Sequence, residues 1–108
     1  MKINFYKGDL PASFKASNII ALDSETMGLN PKRDKLCLVQ ISNGDEVCHL
    51  VKIDLSTEKP LNLIQILKNN KIQKIFHYAR FDVAVYKHNF KINTVSYTHL
   101  TLPTRSFV

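Results

Sequence analysis

Three carboxylates in this 108-residue chain are spaced so that they could do chemistry together. Asp23 and Glu25 close the run "NIIALDSE", whose β-branched and apolar residues give way abruptly to acids. On a strand, residues two apart project to the same face. Two carboxylates on one face repel unless a cation lies between them or one keeps its proton. Mg2+ and Mn2+ suit such an oxygen cluster, because they prefer hard ligands and retain several waters. A lone Asp-x-Glu is better explained as a solvated strand end that carries two acids by chance. Asp82 shifts that balance. In "KIFHYARFDVAV" it falls in the first turn of a helix that directly follows a strand. If that strand lies beside the first, all three acids converge at the strand ends, where α/β sheets bind their ligands. Asp82 can also stabilise its helix through the dipole, and the two roles are compatible.

Other constellations are missing. His49, His77 and His88 have no zinc-ligand spacing with Cys37 and Cys48. Neither a Gly-rich phosphate loop nor a Gly-x-Ser-x-Gly elbow is present, so kinase and serine-hydrolase chemistry has no support.

The elements that must position the acids can be read from the apolar pattern. Residues 18–25, 36–42 and 46–53 read as strands, the last two joined at Asn43-Gly44-Asp45, which predicts an antiparallel meander. Between the first two, "TMGLNPKRDK" is a loop marked by Gly28 and Asn30-Pro31. Residues 56–70 change to a helical period: Leu63, Ile64 and Leu67 share a face, Pro60 suits the first turn, and Asn69-Asn70 suits the exit. A short strand over 71–77 follows, and then a helix over 79–90 with Phe81, Ala84, Val85 and His88 along one stripe. The predicted order is β-β-β-α-β-α.

Composition sets the outer bounds. With 44% hydrophobic and 22% charged residues, the chain is an ordinary globular domain with room for one core. Fifteen basic against nine acidic residues leave a formal charge of +6, which favours a polyanionic partner. The lysines at Lys2, Lys32, Lys52, Lys71, Lys74 and Lys87 are scattered, so a solvated surface explains them nearly as well. Cys37 and Cys48 lie in apolar runs whose register across the turn does not oppose them, which favours reduced thiols. No apolar run approaches the roughly 20 residues of a membrane span, and "MKINFYKGDL" lacks the apolar core of a secretory signal. The expected location is the cytoplasm, with no membrane and no stable protein partner.

Together, "IALDSETMGLNPKRDKLCLVQIS" and "KIFHYARFDVAV" carry a resemblance to the catalytic domain of ribonuclease D and its relatives. These are the 3′-to-5′ exonucleases named for four acidic residues, and the resemblance runs over residues 19–92. It implies an α/β, ribonuclease H-like fold and phosphodiester hydrolysis at a 3′ end by two divalent cations, Mg2+ or Mn2+. Asp23 matches the metal-bridging aspartate, Glu25 its partner on the first metal, and Asp82 the acid that helps hold the second. Met27 and Leu29 match apolar contacts to the terminal base, with Gly28 permitting close backbone approach. His77 and Phe81 flank the second motif and are candidates for orienting substrate. The implied partner is nucleic acid, with single-stranded RNA 3′ ends first. DNA stays open, because nothing in the residues reads a 2′-hydroxyl.

The chain departs from the family at its end. A late Tyr-x-x-x-Asp or His-x-x-x-Asp motif completes the family's site, yet here Tyr97 is followed four residues on by Thr101, and Asp82 is the last acid. Without the fourth carboxylate and the water-orienting group, most of the rate should be lost. The chain as it stands is therefore expected to be inactive. Its last residues offer a reason: "VSYTHLTLPT" can be written GTC TCT TAT ACA CAT CTG ACG CTG CCG ACG, the sequence of a transposase-based sequencing-library adaptor. On this reading residues 1–93 are part of an exonuclease domain, and 94–108 are a non-native tail. The fold would then be truncated, lacking its last strand and C-terminal helices. A genuine β-prone terminal segment is the structural alternative, given Val95, Tyr97 and the threonines. Two functional alternatives stay open: a nucleic-acid-binding module of the same fold without hydrolysis, and a nonfunctional truncated chimera.

Overall fold

The computed structural model describes residues 1–28, 30, 34–77 and 79–99. Short apolar runs separated by polar turns form six strands and two helices: β1 (Lys2–Lys7), β2 (Ile19–Thr26), β3 (Leu36–Ser42), β4 (Val47–Lys52), α1 (Leu61–Lys68), β5 (Gln73–Phe76), α2 (Ala79–Phe90) and β6 (Tyr97–His99). All six strands join one sheet in the order β1-β4-β3-β2-β5-β6. β2, β3 and β4 form the expected antiparallel meander, whereas β2 with β5, β5 with β6, and β1 with β4 are parallel.

The predicted order lacked a strand at each end. β1 alternates Ile3 and Phe5 with Asn4 and Tyr6, and pairs alongside β4 from Lys2↔Val47 to Lys7↔Lys52. β6 adds three residues beside β5, from Lys74↔Tyr97 to Phe76↔His99. The α/β fold and its meander are as expected, and β6 is a three-residue strand at the edge where the sheet was expected to stop. Tyr97, Thr98 and His99 supply it, as β-prone residues beside an open parallel edge can.

Register aligns the core across the sheet. Phe76 on β5 pairs with Leu22 on β2, Leu22 with Ile41 on β3, and Ile41 with His49 on β4. This row runs beneath the helices with Ile20, Val39 and Val51, and α1 adds Leu63, Ile64 and Leu67 as its pattern predicted. Full burial of such a side chain is worth about 1.5–3 kcal/mol, so the row anchors the register that places the acids. Gly44, at φ 88°, turns the chain between β3 and β4. The neighbouring Asn43 accepts a hydrogen bond from the Ser17 amide at 2.9 Å and donates to the Lys15 carbonyl at 3.1 Å, which fixes the approach to β2.

α1 is capped from a distance. Pro60 stands at its N-cap rather than inside the first turn and offers no side-chain cap. The Asp9 carboxylate replaces it, accepting from the amides of Asn62 at 2.9 Å and Leu63 at 3.0 Å. The exit at Asn69 is as expected.

α2 covers the predicted span but presents a different face. The expected stripe was Phe81, Ala84, Val85 and His88, whereas the buried residues are Ala79, Asp82, Val85, Tyr86 and Phe90. The helix is rotated so that two polar side chains, Asp82 and Tyr86, lie inward. Apolar content alone cannot foresee that. Among the described residues both cysteines are free thiols, and no helix is long and apolar enough to cross a membrane.

Candidate active site

The site arises from a mismatch in strand length. β5 ends at Phe76, opposite Leu22, while β2 runs on through Asp23, Ser24, Glu25 and Thr26. Those four residues pair only with β3, from Asp23↔Gln40 to Thr26↔Leu36, with a register shift between Glu25 and Thr26. On the side that β5 has vacated, the chain turns into α2 and brings Asp82 into its first turn. The carboxyl end of β2 and the start of α2 thus form the crevice where two parallel strands give out.

Alternation along β2 sends Asp23 and Glu25 to the exposed side and leaves Ser24 half-buried. Ser24 faces α2, where its hydroxyl oxygen lies 2.6 Å from that of Tyr86, and its amide donates to Asp23 Oδ1 at 2.9 Å. Asp82 is only 2% exposed. Its Oδ1 is buried without a hydrogen-bond partner. Desolvation pushes the Asp82 carboxyl up to about 7, with the nearby charge of Asp23 adding to the rise and a hydrogen bond from Ser24 opposing it. Burial, and then the charge of Asp82, raises the Tyr86 phenol well above its usual range, so it remains a protonated donor.

The charge of Asp23 reaches the Asp82 carboxyl, although Asp23 leaves β2 on its exposed side and Asp82 is buried under α2. Glu25 is not gathered with them: among the described residues no three His, Cys, Asp or Glu side chains group closely enough to hold a metal ion. Glu25 faces solvent at the register shift, whereas Asp82 lies on the helix side. Met27 is 75% exposed and does not reach back to the core. A Cβ on Gly28 would meet the end of the Asp34 side chain, 2.8 Å from its Cγ, which that side chain can move to accommodate. His77 is half-buried just past β5, and Phe81 packs half-buried against the core. Leu29, the second proposed base contact, lies outside the described residues.

Ser24 and Tyr86 were not picked out from the sequence. The available signal was the spacing of Asp82 and Tyr86, four apart on α2 and hence on one face.

A buried carboxylate oxygen with no partner, beside a second carboxylate, fits a hard divalent cation. Mg2+ commonly takes one or two protein carboxylates and completes its shell with water and substrate phosphate.

A family model described as 3′-5′ exonuclease matches residues 7–105. No curated protein matches the chain. Among solved structures, Brucella melitensis NrnC with bound Mg2+ is similar at a TM-score of 0.84 and 42% identity, covering 92% of this chain and 50% of that one. NrnC bound to pGG gives a TM-score of 0.87 and 39% identity, covering 100% and 55%. Escherichia coli RNase D, described as an exoribonuclease involved in structured RNA processing, gives 0.60 and 26%, covering 77% and 22%. The chain spans about half the length of NrnC. With its mixed sheet, two helices and carboxylates at the end of β2, it has the ribonuclease H-like arrangement of these exonucleases. The chain belongs to the 3′-5′ exonuclease family.

Proposed function

We propose that the chain is part of an enzyme that removes nucleotides from the 3′ end of nucleic acid, single-stranded RNA above all. The observation that carries this reading is Asp82 Oδ1, buried and without a partner beside the Asp23 carboxylate. Such a pair is costly to keep in a fold unless a cation is to be held there. That NrnC has been solved with bound Mg2+ and bound to pGG supports a divalent cation and a nucleotide ligand for this chain's parent domain.

When bound, divalent cations supply a nucleophile from water near neutral pH and offset the charge that builds on the leaving oxygen. The chain's own residues hold and orient. Asp23 and Asp82 present carboxylate oxygens from two elements that the Leu22–Phe76 register fixes against each other. Ser24 donates its amide to Asp23 and pairs its hydroxyl with Tyr86, which ties the end of β2 to α2. Glu25 would lend its carboxylate from the exposed face of β2. Met27 offers an apolar side chain to the terminal base, with Gly28 permitting close backbone approach. His77 and Phe81 flank the start of α2 and orient the nucleotide.

The isolated chain is inactive on this reading, because Asp82 is its last acid and no Tyr-x-x-x-Asp follows. Residues 94–108 are translated adaptor, and the native gene continues differently after the codon for Asn93. Two experiments test this. Sequencing the source genome past that codon should reveal the missing motif, and a native frame encoding "VSYTHLTLPT" would overturn the tail assignment. The protein from the uninterrupted gene should trim 5′-labelled single-stranded RNA with Mg2+, and Asp23→Ala should abolish trimming. RNA bound tightly but left intact would favour the non-catalytic binding module.

A further inference from the structure

Both helices lie on one face of the sheet, over Ile20, Leu22, Val39, Ile41 and Val51. The opposite face carries the alternate residues of each strand, and most of them are exposed. Asp23 and Glu25 stand on that uncovered face. Register extends each acid into a row that crosses the sheet. Asp23 is paired with Gln40, Gln40 with Leu50, and Leu50 with Phe5. Glu25 is paired with Leu38, Leu38 with Lys52, and Lys52 with Lys7.

Each row runs from a carboxylate to a group of another kind. Phe5 is 54% exposed on the edge strand, so its ring is open to a planar partner. Lys7 and Lys52 are exposed and directly opposite each other, and like charges so placed destabilise a sheet unless an anion lies against them. Asp54 and Glu58 share the cleft beyond the two lysines, but the Asp54 carboxylate is already engaged by the Ser56 amide at 3.1 Å and hydroxyl at 2.5 Å. Cations for phosphates and an aromatic ring for bases are the two parts of a single-strand binding surface.

The span also fits. From β2 to β1 is three steps in the strand order, about 14 Å at roughly 4.8 Å per step. Bases stacked at roughly 3.4 Å each would set about four nucleotides over it. We propose that the uncovered sheet face is a track for single-stranded nucleic acid. The 3′ end lies at Asp23 and Glu25, the upstream bases pass over Gln40 and Leu50 to stack on Phe5, and the phosphates meet Lys52 and Lys7. The proposal rests on the 3′-end reading above, and it adds the direction in which the rest of the strand leaves.

Fluorescence anisotropy of the whole chain with 5′-labelled oligoadenylates of two and six nucleotides tests the track, with Ca2+ in place of Mg2+ so that no strand is trimmed. The hexanucleotide should bind roughly ten-fold tighter than the dinucleotide, because only the longer strand reaches Phe5. Phe5→Ala should weaken hexanucleotide binding by roughly ten-fold, the loss of one base stack, and Phe5→Tyr should restore it. Lys7→Gln and Lys52→Gln should each lower the slope of log affinity against log salt concentration by about 0.7, the share of one phosphate contact on a single strand. Ile19→Ala is the control: Ile19 is 56% exposed on the same face at the other end of β2, and its loss should change neither reading. Equal hexanucleotide affinity in the wild type and Phe5→Ala would overturn the proposal, as would an unchanged salt slope in both lysine variants. So would gel filtration in which Phe5→Ala dissociates a dimer while RNA affinity stays the same, since the face would then join two copies. In the protein from the uninterrupted gene, Phe5→Ala that melts far below its wild type with unaltered hexanucleotide affinity would show the rest of the chain covering the face, and would overturn it too. Asp23→Ala separates the two levels. If it abolishes binding of both oligonucleotides while Phe5→Ala is neutral, the 3′-end site stands and the track falls. If the wild type binds neither oligonucleotide, both readings fall.

Discussion

Leu22 and Phe76 are the last residues of β2 and β5 to face each other, so the next residue of β2, Asp23, has no strand neighbour on that side. One register pair thereby opens the space that Asp82 enters from α2, and the energetic state of that space can be measured.

The first measurement is a metal-dependent thermal shift. At pH 7.5, Mn2+ should raise the melting temperature of the chain, because a ligand that binds only the folded state stabilises it by mass action. Asp23→Ala and Asp82→Asn should each remove the shift. Without metal, Asp82→Asn should melt higher than the wild type, since it replaces a desolvated acid with a neutral group. An equal Mn2+ shift in Asp82→Asn would remove Asp82 from the site.

A second measurement concerns pH. The folded Asp82 carboxyl titrates near 7, far above its unfolded value of 3.8, so the folded state binds the extra proton between those values. Stability should fall as pH rises through that window. Lys74 acts in the opposite sense. It is fully buried, and desolvation lowers it from 10.5 to about 8, so the folded state releases its proton first and stability recovers above about 8. In EDTA the melting temperature should therefore pass through a minimum between pH 7 and 8. Asp82→Asn should flatten the acidic limb, and Lys74→Met the alkaline one.

Met27 should separate binding from stability. It is 75% exposed, so Met27→Ala should change unfolding free energy by no more than about 0.5 kcal/mol. In the protein from the uninterrupted gene, the same change should weaken binding of a short single-stranded RNA by roughly ten-fold, the loss of one apolar base contact. Urea denaturation and fluorescence anisotropy would read the two quantities. A large stability loss with unchanged RNA affinity would make Met27 a packing residue.

Asp9 should matter to stability alone. Its carboxylate holds the Asn62 and Leu63 amides at 2.9 and 3.0 Å, so Asp9→Ala should cost about 1–2 kcal/mol, as for loss of a helix cap. Asp9→Asn should cost less, because an amide oxygen can still accept one of the bonds. Urea midpoints would show the order.

The meander and the two helix spans could be read from the chain because each rests on local pattern. Alternation marks β2 and β3, a helical period marks α1, and the acids stand at the ends of their elements. What escaped depends on partners far away in sequence. β1 has the right alternation, but only its docking beside β4 makes it a strand. The buried face of α2 was misjudged because Tyr86 and Asp82 look like solvent-facing residues until Ser24, 62 positions before Tyr86, supplies a partner. The Asp9 cap, 53 residues from Asn62, likewise has no local signature.

That cap also bears on the order in which the molecule assembles. α1 has eight residues, too few to persist alone, and its first turn waits for a carboxylate from 53 and 54 positions upstream. The N-terminal segment must cross to α1 before the helix can close, so this contact belongs to the late, non-local part of folding. Asp9→Ala should then leave the refolding rate nearly unchanged and accelerate unfolding. The start of α1 thus joins the first strand's exit to the helix layer through a single carboxylate.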